Sequence, residues 1–347
     1  MSGAAVLPGD PPADRNGSPF MTGAEARIRF LIKSTEDPLA RDGANVIANL
    51  TKRPKRISPV YVYDRKGTEL FERQCGTPEY YLRRCEVQLL NLHAREIAEL
   101  CDYPDIVELG SGTAEKTRIL LARYADRGVG CDYFPIDVDA ETMAEAARAL
   151  TVSFAELMIH CLCATYAEGL RALPARTGSR MFLFLGSSIG NMELREIAEL
   201  LLELFSHSRP GDHLLVGADL HKEPHIINRA YNDSAGYGAR STLNMLSHLN
   251  WRYGGNFELE RFAYRSQYDA LSRQNKVSIE SLSDQRVTLS RLGLSVSFDK
   301  SELIDAEVMW KFDPDELTGF LDQAGFSLSR RWMDEVYRYG LFLFGRK

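Results

Sequence analysis

Gly110, Ser111 and Gly112 follow the apolar run Ile106-Val107-Glu108-Leu109 and lead through Thr113 into a helix over Ala114–Ala125, a spacing that suits a nucleotide cradle. Neither glycine carries a Cβ, so the backbone can turn sharply and approach a ligand closely, and Thr113 is placed to cap the helix. Gly-Ser-Gly alone falls short of the full dinucleotide fingerprint and also suits a plain strand-to-helix turn. A second strand, Tyr133-Phe134-Pro135-Ile136, closes on Asp137, and a carboxylate there can accept from both hydroxyls of a ribose. Asp137 and Asp139 are equally candidate caps for the next helix. The tyrosines of Tyr61-Val62-Tyr63-Asp64 and Pro78-Glu79-Tyr80-Tyr81 join a ring to a hydroxyl, which suits the wall of a small-molecule pocket or ordinary core packing.

The elements that position these residues alternate. Strands are expected at Ile106–Leu109, Tyr133–Ile136, Leu157–Cys163, Met181–Leu185 and His213–Ala218, with an amphipathic helix over Glu86–Leu100 before them. Between the last two strands, Leu194, Ile197, Ala198, Leu201 and Phe205 share a helical face that Pro210-Gly211-Asp212 terminates. The pattern predicts an α/β fold with a parallel sheet covered on both sides and a ligand crevice at the carboxyl ends of its strands, where Gly186-Ser187-Ser188-Ile189-Gly190-Asn191 would lie. From His221 to about Lys311 it breaks into helix-like residues around Ile226–Ser247 and extended ones at Val277–Leu282 and Leu294–Phe298. A closing helix starts at Asp313-Pro314 and stops at Gly325, and the strands Leu328–Trp332 and Tyr339–Phe344 follow, as in a methyltransferase-type sheet with an antiparallel edge. The expected organisation is a flexible arm over residues 1–19, a substrate-binding lobe from 20–85 plus 221–311, and a cofactor-binding domain from 86–220 plus 312–347.

Composition excludes several classes. The formal net charge is −6 and long basic clusters are lacking, which argues against a nucleic-acid partner; Lys52-Arg53-Pro54-Lys55-Arg56 reads as a solvated loop. The sequence lacks an apolar run long enough to cross a bilayer, and the first residues lack the basic end and apolar core of a signal peptide. Six scattered cysteines, with only Cys161 and Cys163 close together, make no metal site and suit reduced thiols in a cytoplasmic enzyme.

The ordered motifs resemble the histidine α-N-methyltransferases of ergothioneine biosynthesis and related amino-acid N-methyltransferases. The resemblance rests on Tyr63-Asp64 with Gly67 and Leu70-Phe71, Pro78-Glu79-Tyr80-Tyr81, Glu108–Thr113 with Lys116-Thr117, Leu185–Asn191, Arg229-Ala230-Tyr231, and Glu307 with Lys311-Phe312. It runs from about Ile57 to the C-terminus and implies a class I (Rossmann-like) sheet that binds S-adenosylmethionine, with an amino acid held under the inserted lobe. By resemblance, Gly110, Lys116 and Asp137 contact the cofactor, together with Ser111, Gly112 and Gly186 of the glycine-lined crevice. Asn191, Tyr231 and Tyr81 surround the amino-acid backbone, Tyr63 stands near cofactor and methyl acceptor, and Glu307 and Met309 face the acceptor side chain. Two departures stand out. Where relatives carry an acidic residue followed by an aromatic one at the adenine, this chain has Thr165-Tyr166, so the amino-group contact is lost or passes to a hydroxyl. Met309 replaces a serine, opening tryptophan or tyrosine as alternatives to histidine.

Methyl transfer from a sulfonium is an in-line displacement, so positioning outranks acid–base work. Asn191 and Tyr231 are expected to hold the substrate carboxylate, although Asn191 could instead cap a helix starting at Met192. The faces of Tyr63 and Tyr81 suit a growing methylammonium, and no dedicated base is evident. Glu307 would accept from an imidazole or indole N–H, or else pair with Lys311 on its own strand. No metal is expected, and the chain is expected to act as a monomer on a small molecule. A nicotinamide-dependent oxidoreductase and a non-catalytic S-adenosylmethionine-binding regulator are the alternatives of another class.

Overall fold

The computed structural model describes residues 25–32 and 42–347. The expected N-terminal arm, residues 1–19, lies outside them. The strands are β1 (Ile28–Ile32), β2 (Lys55–Arg56), β3 (Asp105–Leu109), β4 (Cys131–Asp137), β5 (Leu157–Cys163), β6 (Arg180–Phe184) and β7 (His213–Asp219). They continue as β8 (Phe262–Asp269), β9 (Gln274–Ser281), β10 (Gln285–Leu289), β11 (Leu294–Phe298), β12 (Leu303–Trp310), β13 (Phe326–Asp334) and β14 (Tyr339–Arg346).

One eight-stranded sheet has the order β1-β5-β4-β3-β6-β7-β14-β13. Its strands from β1 through β7 run parallel, while β14 lies antiparallel between β7 and β13. Ile106 and Val107 are fully buried on opposite faces of β3, as expected for a strand covered on both sides. The antiparallel closing pair is present where the terminal helix and strands predict it. β1 is a departure from the expected lobe boundary. Ile28–Ile32 pairs with β5 as an edge strand of the large sheet, a long-range contact that local pattern does not announce.

The inserted lobe is built on a four-stranded sheet, β2-β12-β9-β8, with β10 and β11 as a separate hairpin. Lys55 and Arg56 therefore form a strand rather than a solvated loop, and Lys55 is buried against Glu302 and the Phe298 ring. The helical stretch expected around 226–247 is two helices, Pro224–Tyr231 and Tyr237–Tyr253. Asp233 accepts from Tyr237 N and Gly238 N and starts the second, while Gly236 takes the left-handed conformation (φ 68°) between them. Lobe and sheet are bridged where Leu220 pairs with Phe312 and His221 N donates to Phe312 O at 2.9 Å.

Candidate active site

β3 ends in a turn through Gly110 (φ 73°) and Gly112 (φ 48°), a conformation that suits residues without a Cβ. Gly110 N donates to Ile136 O at 2.9 Å, and Gly112 N donates to Asp137 Oδ2 at 2.9 Å. Asp137 Oδ1 accepts from Asp139 N at 3.0 Å, so both oxygens keep a lone pair for a ligand. Burial raises the Asp137 carboxyl above its ordinary range. Asp139, not Asp137, caps the helix Ala140–Ser153. Thr113 caps nothing: the helix after the turn starts at Glu115, and its N-cap Ala114 is left-handed.

A Cβ on Gly110 would stand 3.0 Å from Tyr166 Oη, whereas one on Gly112 would meet nothing within 4 Å. The loop is thus closed against Tyr166 and open at Gly112. Ser111 Oγ is buried there without a partner among the described residues. An open glycine turn, an unspent hydroxyl and a carboxylate with free lone pairs fit a nucleoside with a ribose diol. Thr165, expected at the adenine, is committed elsewhere: its hydroxyl donates to Glu168 Oε2 at 2.7 Å in a capping box that starts the helix Tyr166–Arg171.

Lys116 reaches toward the end of β6, where a Cβ on Gly186 would lie 2.9 Å from its Nζ. Its ammonium pairs with Glu86 Oε2 at 3.0 Å. Glu86 is fully buried in the helix Leu82–Leu100 and also accepts from Gly186 N at 2.8 Å and Tyr339 Oη at 2.8 Å. One carboxylate therefore fixes the glycine turn after β6, Lys116 and β14. Sequence reasoning passed over Glu86 because a helical glutamate reads as solvent-facing. Its place on the Leu82, Cys85, Leu89, Leu90 stripe was the available sign.

Across the crevice, Tyr63, Phe71, Tyr80 and Tyr231 make edge-to-face contacts in series, with ring centroids 6.4, 6.0 and 6.0 Å apart. Tyr63 is not core, being 54% exposed. Glu307 is an electrostatic neighbour of Tyr63, Tyr231 and Tyr264. A β-bulge brings it there: the register of β12 against β9 shifts between Asp305 and Glu307, so Glu307 pairs with buried Val277, and Ile304 before the shift pairs with buried Ile279. Without the bulge, alternation from Ile304 would turn Glu307 to the opposite face. Met309 shares the Glu307 face and is buried. Glu307 has no ion-pair partner among the described residues, and desolvation pushes its carboxyl up to about 7. The alternative of a bridge to Lys311 is overturned, because Lys311 Nζ pairs with Asp219 Oδ2 at 2.8 Å.

Asp219, at the end of β7 and fully buried, gathers the remaining polar groups. It bonds Lys222 Nζ and Lys311 Nζ and accepts from Tyr81 Oη at 2.8 Å. Lys222 Nζ donates to Tyr81 Oη at 2.8 Å, and Lys311 Nζ donates to Tyr231 Oη at 2.8 Å. Burial opposes the Asp219 charge, but the two ammoniums hold the carboxyl below its ordinary range. Burial brings Lys222 down to about 8, whereas Asp219 outweighs burial at Lys311 and raises it. Tyr81 is therefore a correction to the expected site: its hydroxyl is spent in this cluster and its ring stacks on Tyr337 at 4.8 Å, fully buried. Tyr80, which sequence reasoning did not single out from its neighbour, takes the place beside Tyr231.

Asn191 closes the 3-10 turn Ser188–Asn191 with its side chain exposed. It does not cap the following helix, which starts at Leu194 behind a Glu193–Glu196 capping box. The turn is packed tightly under the lobe, since a Cβ on Gly190 would lie 2.7 Å from Trp310 O.

The family model described as histidine-specific methyltransferase, SAM-dependent, matches residues 42–346. The chain belongs to this family. It is an S-adenosylmethionine-dependent methyltransferase, and the nicotinamide alternative is set aside. Relatives of this methyltransferase include the histidine N-alpha-methyltransferase of Mycobacterium tuberculosis, 36% identical over 299 residues that cover 86% of this chain and 93% of that one. The histidine N-alpha-methyltransferase of Mycolicibacterium smegmatis is 34% identical over 310 residues, 89% and 95% of the two chains. A 4-dimethylallyltryptophan N-methyltransferase of Claviceps purpurea is 25% identical over 313 residues, 84% and 90% of the two chains. With the cofactor established, the glycine turn, Asp137 and Lys116 are the groups whose geometry suits its nucleoside and its amino-acid end.

Proposed function

We propose that this methyltransferase acts on the α-amine of free histidine. The observation that carries the reading is Glu307, a carboxylate with no ion-pair partner among the described residues, turned by the β12 bulge toward Tyr63, Tyr231 and Tyr264. Such a group accepts from an imidazole N–H, and a neutral apolar acceptor would leave it unsatisfied. The bound cofactor supplies an electrophilic methyl group on sulfur. Gly110, Ser111, Gly112 and Asp137 would hold its nucleoside, Lys116 its carboxylate, and Tyr166, beside Gly110, the adenine side.

This chain's own residues then have three tasks. Asn191 and Tyr231 fix the acid end of the amino acid, which aims the α-nitrogen along one line. The rings of Tyr63 and Tyr80 shield the nitrogen from water and offer electron-rich faces to the cation that grows with each methyl, about 0.5–2 kcal/mol per good contact. Glu307 selects the side chain.

Buried Met309 beside Glu307 favours a second reading, an indole-bearing amino acid in the same pocket. Both readings take the chain as a monomer handling a small molecule in the cytoplasm, in keeping with six buried cysteines. Incubation with S-adenosylmethionine and each common amino acid, followed by mass analysis, tests them. Mono- to trimethylated histidine is the expected product, and methylation of tryptophan or tyrosine without histidine would replace the first reading with the second.

A further inference from the structure

We propose that Lys222, Asp219 and Lys311 form a buried cationic cluster that anchors the substrate's carboxylate through the Tyr231 hydroxyl. The inference rests on the amino-acid reading above and extends it to residues behind the contact surface. Two ammoniums face one carboxylate: Lys222 and Lys311 both bond Asp219, and all three are nearly or fully buried. The cluster therefore carries one unbalanced positive charge, out of water, at the end of β7. Buried charge is costly unless it is paired, so a surplus of this kind in an otherwise satisfied network marks the place of a missing anion.

The hydrogen bonds show where that anion belongs. Tyr81 Oη accepts from Lys222 and donates to Asp219, so its hydroxyl is spent. Tyr231 Oη accepts from Lys311 at 2.8 Å, and its own proton has no acceptor among the described residues. A hydroxyl polarised by an ammonium on its lone pair is a stronger donor, and hydrogen bonds coupled in this way reinforce one another. Tyr231 is also the member of the cluster that meets the crevice, beside Tyr80 and within the field of Glu307. The surplus charge thus reaches the substrate as one O–H donor beside the aromatic wall. Lys222 and Lys311 are positioning residues: they do not touch the amino acid, and they set how strongly its carboxylate is preferred over a neutral group.

The test compares an amino acid with its carboxamide. For the wild-type chain, kcat/KM on histidine and on histidinamide is measured alongside S-adenosylhomocysteine affinity, and then for Lys311→Gln and Lys222→Gln. The expected result is a fall in kcat/KM for histidine of about tenfold to a hundredfold, carried by KM. Histidinamide should be nearly unaffected and cofactor affinity held, so that the acid-to-amide ratio collapses. A ratio unchanged within about twofold in folded variants would overturn the proposal, as would equal losses on acid and amide, the mark of a merely structural cluster. If a lysine variant loses the fold by circular dichroism, Tyr231→Phe decides. It removes only the relaying hydroxyl, and a preserved acid-to-amide preference there also overturns the proposal. Should another amino acid prove to be the acceptor, the same comparison is run on that acid and its amide, so failure of the histidine reading and failure of the anchor give different results.

Discussion

In the proposed function, Glu307 carries substrate choice and Asn191 carries turnover. Replacing Glu307 by Gln keeps the shape but removes the anionic acceptor, so KM for histidine should rise about tenfold or more with S-adenosylhomocysteine binding unchanged, as titration and initial rates would show. The pH dependence has a definite sign. The folded carboxyl titrates at about 7 against an ordinary value of 4.5, so the native state binds the extra proton between those values. Its contribution to stability is complete below about 4.5 and is lost as pH rises through about 7. Urea unfolding should therefore show Glu307→Gln gaining on wild type between pH 5 and pH 8. An unchanged gap would remove the desolvated carboxyl from the account. For Asn191→Ala, turnover should fall by at least about a hundredfold with the melting temperature nearly unchanged, since the exposed residue does not cap the following helix and its proposed role is to hold the substrate.

At the scale of elements, the turns and caps decide what faces the crevice. Thr165 illustrates the difference between a ligand position and a helix start: its hydroxyl and backbone N both bond Glu168. Thr165→Ala should cost about 1 kcal/mol of stability, the usual worth of an N-cap, while S-adenosylhomocysteine affinity stays within about twofold. A large loss of affinity at unchanged stability would return Thr165 to the adenine site. The β12 bulge works on the same scale. Two residues opposing one swing Glu307 onto the inner face that Ile304 already occupies, which a regular strand could not do.

The whole molecule is held at its functional seam by Asp219. This residue, on the last parallel strand, bonds Tyr81 from the segment before the sheet and Lys311 from the end of the lobe. Asp219→Asn leaves two buried ammoniums without their counter-ion, and urea denaturation should show a loss of about 3–5 kcal/mol. A loss below about 1 kcal/mol would mean that water already neutralises the cluster. Glu86 does the equivalent at the end of β6, joining the turn after that strand, Lys116 and β14. Each of the two buried carboxylates thus ties together segments distant in the chain.

Local pattern was enough for five of the parallel strands, β3 to β7, the antiparallel closing pair and the glycine turn, because runs such as Ile106–Leu109 and Leu157–Cys163 must be buried on both faces wherever they lie. The motif order was enough for the family and the cofactor. Tertiary structure alone decided which of Tyr80 and Tyr81 meets the crevice, that Lys311 serves Asp219 rather than Glu307, and that Ile28–Ile32 joins the large sheet. The physical reason is common to all three. Burial and charge pairing depend on neighbours brought from distant parts of the chain, and a shift of one residue in register reverses which face a side chain occupies.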